Sequence, residues 1–173
     1  MGVLKTISIA VLVLLNVLVF GGQQRHFTRI DVEYVLDLPS PAWQVVSAID
    51  VHDHPDFING SDPANGFLRL RKIFVDRPAN AAELFRQEEK WELQRLPGYV
   101  VCTACEGMRF DGLLHATTFS YEYVSSGRAM YGRIYYLQID QYSYYSLHFT
   151  VTRDRLSASS EDMDSIVRSF HLK

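Results

Sequence analysis

The chain has 173 residues, of which 47% are apolar and 21% charged, and its formal charge is −3. That length and composition describe one globular domain with a short appendage and exclude disorder over most of the chain. Lys and Arg are scattered rather than clustered, which excludes an electrostatic footprint for nucleic acid.

The appendage is MGVLKTISIAVLVLLNVLVFGG: Lys5, an apolar run from Ile7 to Phe20, then two glycines before a polar QQRH. A basic start, an apolar middle and small residues at the end predict a secretory signal over residues 1–22. The run is shorter than the roughly 20 residues of a spanning helix. Phe20 and the lack of an Ala-x-Ala sequence make cleavage inefficient, so a retained anchor, with membrane association through residues 4–20, is the alternative. Either way residues 23–173 are expected to form one domain outside the cytoplasm, periplasmic or secreted.

FTRIDVEYVLDL begins that domain with extended character, because Ile30, Val32, Tyr34 and Leu36 alternate at period two. Pro39 and Pro41 end the segment, and Trp43 opens a second apolar stretch. Residues 51–66, VHDHPDFINGSDPANG, are dense in Asp, Asn, Gly and Pro and predict a loop. The loop carries the strongest local cluster for chemistry: His52, His54 and Asp56 offer two imidazoles and a carboxylate to a divalent ion. A polar loop contains such residues without any metal, so no cofactor is assigned.

FLRLRKIF returns to alternation, with Phe67, Arg69, Arg71 and Ile73 on one face and Leu68, Leu70, Lys72 and Phe74 on the other. A strand with such a basic face lies where that face is partly wet. Strong helix formers follow Pro78, with Ala81, Leu84, Phe85 and Trp91 as the apolar set, and Pro97-Gly98 stops them. Four strands are predicted next, over 99–108, 112–124, 128–140 and 142–153, joined by turn-rich separators into an antiparallel meander. The closing segment predicts a helix in which Met163, Ile166, Val167 and Phe170 form one apolar stripe.

Two features of the meander invite a functional reading. Cys102 and Cys105 form a C-x-x-C, but they sit inside a strand-like run, not at a helix N-terminus that would activate a thiolate. Residues three apart in a regular strand point to opposite faces, beyond disulfide reach. Eight of the ten tyrosines fall between positions 121 and 145. Cross-strand aromatic pairing accounts for them; the alternative is a contact surface that includes Tyr131, Tyr135, Tyr144 and Tyr145, since tyrosine is favoured at interfaces. His115 and His148 also fall on predicted strands and could approach one another. No G-x-S-x-G, phosphate loop or H-E-x-x-H is present.

The order of elements, with a strand ending in LPSPAW, a central helix, a meander closing on LHFTV, and a final helix ending in IVRSF, resembles the PsbP-like and Mog-like superfamily over roughly residues 30–172. The resemblance implies an α+β fold, an antiparallel sheet with helices packed on it as an α/β/α sandwich, and it carries no shared catalytic set. No catalytic residue is therefore assigned. The expectation is a non-catalytic binding or accessory protein of the cell envelope, with an envelope protein as its partner. A carrier with a small molecule or lipid between sheet and helix, and a metal-dependent protein using the His52, His54 and Asp56 loop, are the alternatives.

Overall fold

The computed structural model describes residues 25–30, 32–46, 55–109 and 115–173, with backbone alone for 103–109 and 115. The leader expected over 1–22 lies outside the described residues. Among the described residues no helix is long and apolar enough to cross a membrane.

Among the described residues, ten strands and two α-helices follow one another. β1 (Arg25–Phe27) and β2 (Tyr34–Leu38) come first, followed by β3 (Trp43–Val46), β4 (Asp56–Asn59) and β5 (Phe67–Phe74). Helix α1 (Ala81–Trp91) precedes the meander of β6 (Val100–Arg109), β7 (His115–Ser125), β8 (Arg128–Gln138) and β9 (Ser143–Thr152). Helix α2 (Leu156–Ser169) and the two-residue β10 (His171–Leu172) close the chain. β3 to β9 make one seven-stranded antiparallel sheet in the order β3-β4-β5-β9-β8-β7-β6, while β1, β2 and β10 make a small three-stranded sheet. This is the expected α+β architecture.

Alternation along the central strands builds two cores, one on each face of the large sheet. Leu68, Leu70, Tyr131, Tyr135, Leu137, Tyr145, Leu147, Phe149 and Val151 face the small sheet and α2, where they meet Tyr34, Leu36, Met163, Ile166, Val167 and Phe170. Phe119, Tyr121, Ile134, Tyr136 and Tyr144 face the other way and meet Leu84 and Phe85 of α1. The predicted stripe of α2 is the buried one. In α1, however, Trp91 is 59% exposed. The helix ends at Trp91 and tightens into a turn over Leu93–Arg95, and Leu93 takes the buried place instead.

The expected loop over 51–66 is only partly a loop. Residues 56–59 form β4, hydrogen-bonded between β3 and β5, and Pro63–Asn65 form a single helical turn capped by the Asp62 carboxylate. One apolar residue decides this: Phe57 is fully buried against the small-sheet side, and two neighbouring strands supply a ladder that outweighs the local polarity.

The four tyrosines considered as a contact surface, Tyr131, Tyr135, Tyr144 and Tyr145, are core residues, none more than 7% exposed. Both faces of β8 and β9 are covered, so period-two alternation sends every tyrosine into one core or the other. Their hydroxyls end on internal partners: Tyr131 on Ser120 Oγ, Tyr135 on Asp164, Tyr144 on the Ala79 carbonyl and Tyr145 on Glu33. Burial with a satisfied hydroxyl is the ordinary use of tyrosine in a core.

Candidate binding pocket on the first-helix face

The α1 face of the sheet is not fully covered. Beyond the C-terminal end of α1 a cavity of about 660 Å³ opens between the sheet and two flanking turns. Leu93 and Leu96 wall it on the α1 side, and Pro63 and Ala64 of the turn before β5 wall it on the other. Tyr121, Tyr123, Met130, His148 and Thr150 form its floor on β7, β8 and β9. Arg69, Arg128, Asp62 and Glu92 line it as well. The wet, basic face expected for β5 is this rim: Arg69 and Arg71 stay partly exposed, while Leu68 and Leu70 are buried behind them.

Gly132 shapes the floor. It stands between Tyr121 on β7 and Thr150 on β9 in the sheet register. A Cβ placed there would fall 2.2 Å from Tyr121 Cζ and 2.5 Å from its hydroxyl oxygen. The phenol ring therefore lies directly over the glycine, and its hydroxyl reaches across β8 to Nε2 of His148 on β9. The other ring nitrogen, Nδ1, lies 3.5 Å from Glu88 Oε1 of α1, and Tyr136 donates to Glu88 Oε2 at 2.5 Å. Three elements thus supply a carboxylate, an imidazole and a phenol in one line that ends in the cavity.

The electrostatics follow from burial and pairing. Burial pushes the Glu88 carboxyl up, but the hydrogen bond and charge of His148, the Tyr136 hydroxyl and the Arg71 charge together hold it below its ordinary value. Burial, with Tyr123, Glu88 and other acidic neighbours adding to it, raises the Tyr121 phenol far above its ordinary value, so it remains a neutral O–H group. Burial also leads the rise at Tyr136, with Glu88 beside it. At the rim Arg69 makes a two-oxygen contact with Asp56, Arg71 faces Glu92, and Arg128 reaches Asp62. Each of these three arginines contacts a carboxylate at the rim, and Glu88 takes His148 and the Tyr136 hydroxyl.

Of the residues weighed for metal binding, His52 and His54 lie outside the described residues. The Asp56 carboxylate is the partner of Arg69. Among the described residues no cluster of three or more His, Cys, Asp or Glu could hold a metal ion. His115 and His148 do not converge: His115 is in register with Gln138 and thence with Tyr144, four residues along β9 from His148, about 13 Å of strand. The C-x-x-C lies in β6 as expected, but that strand is not regular. The register with β7 shifts between Val101 and Thr103 and again between Ala104 and Glu106, so each cysteine is the extra residue of a bulge. Cys102 is an exposed free thiol whose pKa burial pushes up against the pull of Arg153, the opposite of activation.

Neither Glu88 nor Gly132 belongs to a motif that sequence alone singles out. A glycine inside a strand of aromatic and β-branched residues was the available signal, since such a glycine marks a close approach.

A seven-stranded antiparallel sheet carrying one helix on one face, and a helix with a small sheet on the other, defines the PsbP/Mog1-like fold. Solved structures agree. LpqN of Mycobacterium tuberculosis, described as involved in cell envelope biogenesis, superposes with a TM-score of 0.59 at 16% identity over 87% of this chain and 91% of its own. CyanoP, the cyanobacterial PsbP of Synechocystis sp. PCC 6803, gives 0.61 at 13% identity over 87% and 92%. The Ran-binding protein Mog1p of Saccharomyces cerevisiae gives 0.59 at 10% identity over 87% and 96%. At identities this low the superpositions show a common fold alone. No family model and no curated protein sequence matches the chain.

Proposed function

We propose that this chain is a non-catalytic binding or accessory protein of the cell envelope, and that it holds its partner or ligand in the pocket on the α1 face. The observation that carries the proposal is the floor of that pocket. The Tyr121 phenol and the His148 imidazole line it, held in place by contacts with Gly132 and the Glu88 carboxylate outside the lining, with apolar walls around them. Preorganised polar groups in an apolar cleft are what a binding site requires. Location outside the cytoplasm rests on the apolar leader. The likeness in fold to a protein of envelope biogenesis and to a Ran-binding protein is in keeping with a binding role.

The test is affinity capture from native envelope extracts, with the full chain beside an Ala64→Trp variant whose indole would fill the pocket. A component retained by the unmodified chain and lost from the variant supports the proposal; identical bound fractions overturn it. Intact-mass analysis of the exported chain examines the leader separately, with cleavage near residue 22 as the expected result. A second reading, a small-molecule carrier, is favoured by the cavity's size, which lies within the roughly 300–1,000 Å³ of small-molecule sites.

A further inference from the structure

We propose that the end of the molecule opposite the pocket rests on a lipid bilayer, into whose interfacial layer the side chains of Ile30, Phe74, Tyr142 and Leu172 are inserted. The inference is separate from the pocket and says how the domain is oriented at the envelope.

The four side chains come from different segments and meet at one end. Ile30, in the turn between β1 and β2, and Phe74, the last residue of β5, are the two most exposed large apolar residues among the described ones, at 105% and 72%. Tyr142, in the β8–β9 turn, and Leu172 of β10 are exposed as well. A chain of contacts ties them together. The Val75 N–H, next to Phe74, donates to the Tyr142 carbonyl at 2.9 Å. The Lys72 ammonium lies 5.2 Å from the centre of the Phe74 ring and pairs with Glu33. The Glu33 carbonyl accepts from the Lys173 N–H at 2.9 Å, and the Lys173 ammonium reaches the Arg29 carbonyl beside Ile30. The pocket lies at the other ends of the same strands, where β5 begins at Phe67 and the β7–β8 hairpin turns at Ser125 and Ser126. The eight residues of β5 separate the two ends, about 24 Å of strand.

The spacing of the four side chains selects the partner. A stable protein interface needs a contiguous patch of about 800 Å² on each side, whereas these side chains stand apart with charged groups between them. A bilayer accepts such residues one by one. Its interfacial layer has no fixed shape to match, aromatic rings settle at headgroup level, and lysine stems lie along apolar surface with the ammonium kept wet. Lys72 beside Phe74 and Lys173 beside Leu172 are placed to do this. The charges at this end come in both signs: Lys72 pairs with Glu33 and acts on Asp140, and Arg77 follows Asp76. The attraction is therefore apolar and does not depend on anionic lipid. The leader brings a bilayer within reach. As signal or as anchor, the apolar run Ile7–Phe20 delivers the domain at a membrane, and only four residues lie between it and β1.

The test places the full chain in phosphatidylcholine nanodiscs that contain a lipid with a nitroxide on its headgroup, and follows the loss of backbone amide signals by NMR. Paramagnetic broadening falls steeply with distance. The expected result is loss of the Ile30, Phe74, Tyr142 and Leu172 signals while those of Ala64, Ser126 and Arg128 persist. Ile30→Ser combined with Phe74→Ser alters only exposed positions, so the fold should be unchanged, and the contrast between the two ends should disappear. Equal broadening at both ends of the unmodified chain, stronger broadening at the pocket end, or no association with the nanodisc each overturns the inference. So does a contrast that survives the double substitution, or one that appears only when anionic lipid is added. None of these outcomes bears on the pocket, which the Ala64→Trp capture judges.

Discussion

Gly132 shows how much a single position can carry. A side chain at most strand positions packs outward from the sheet, but here the space above the backbone belongs to the Tyr121 ring. Gly132→Ala is therefore an overpacking substitution against a ring held on its other sides by Tyr99, Tyr123 and His148. It is expected to cost about 1–3 kcal/mol in urea denaturation. It should also shift the His148 ring proton resonances, because the phenol ring now lies 5.7 Å from the imidazole, centroid to centroid. An unchanged spectrum would mean that Tyr121 is not held where the floor requires it. Glu88 offers a second reading at this scale. Its carboxyl is held below its ordinary value, so its contribution to stability is complete above the pH at which the unfolded carboxyl ionises and is lost as pH falls through the folded value. Glu88→Gln should then be less stable than the unmodified chain at pH 5.5, and the difference should shrink below about pH 4.3, where the unfolded group takes up its proton. A difference that grows on acidification would contradict the ionised state on which the line of hydrogen bonds depends.

At the scale of elements, what the sequence revealed and what it hid divide along a physical line. Periods of two and of 3.6 were visible in β5, in the meander and in α2, because a covered face repeats its apolar residues whatever the partner is. β4 was hidden, since three of its four residues are polar or half-exposed and only its neighbours' ladders make it a strand. The pocket was hidden for the same reason. It is assembled from single residues on β5, β7, β8, β9 and the turns beside α1, and no local run announces it. The tyrosine run was legible as sheet pairing but not as two separate cores, since that requires knowing that both faces are covered. Helix ends lie between these cases. α1 begins at Asn80, whose side chain accepts from the Glu83 N–H at 3.0 Å, with Glu83 itself in the first turn. Asn80→Ala should cost about 1 kcal/mol, within the ordinary range for such caps. Because α1 positions Glu88, the same substitution should loosen the Glu88–His148 contact, seen as a change in the imidazole signals without any change in the pocket's own residues. Loss of stability with the imidazole signals unmoved would place the cap and the site in separate cooperative units.

The molecule as a whole is closed by its last residues. Phe170 ends α2, stacks on Tyr34 of β2 at 5.2 Å and meets Tyr145 of β9 at 5.1 Å, so one ring joins the small sheet, the large sheet and the final helix. β10 then pairs with β2, and the Lys173 N–H donates to the Glu33 carbonyl at 2.9 Å. This core contains Phe57, Leu68 and Leu70 on one side of the sheet, and the pocket lies across the same strands on the other. Phe170→Ala removes the joining ring without touching the pocket. The cavity left among Tyr34, Tyr145 and the end of α2 is bounded by rigid aromatic rings that cannot collapse far, so the cost should sit at the upper part of the roughly 3–5 kcal/mol expected for a buried phenylalanine. That is a large share of the roughly 5–15 kcal/mol by which a domain of this size is stable. Two outcomes follow from whether the faces unfold together. If the sheet transmits the loss, thermal unfolding followed by tyrosine fluorescence and by the His148 imidazole signals should report one transition shifted to lower temperature. If instead the fluorescence midpoint falls while the imidazole signals keep theirs, the two cores are independent, and the pocket is stabilised by α1 and its own face alone. The eight paired residues between β5 and β9 and the nine between β8 and β9 bind both cores to the same strands, which favours the single transition.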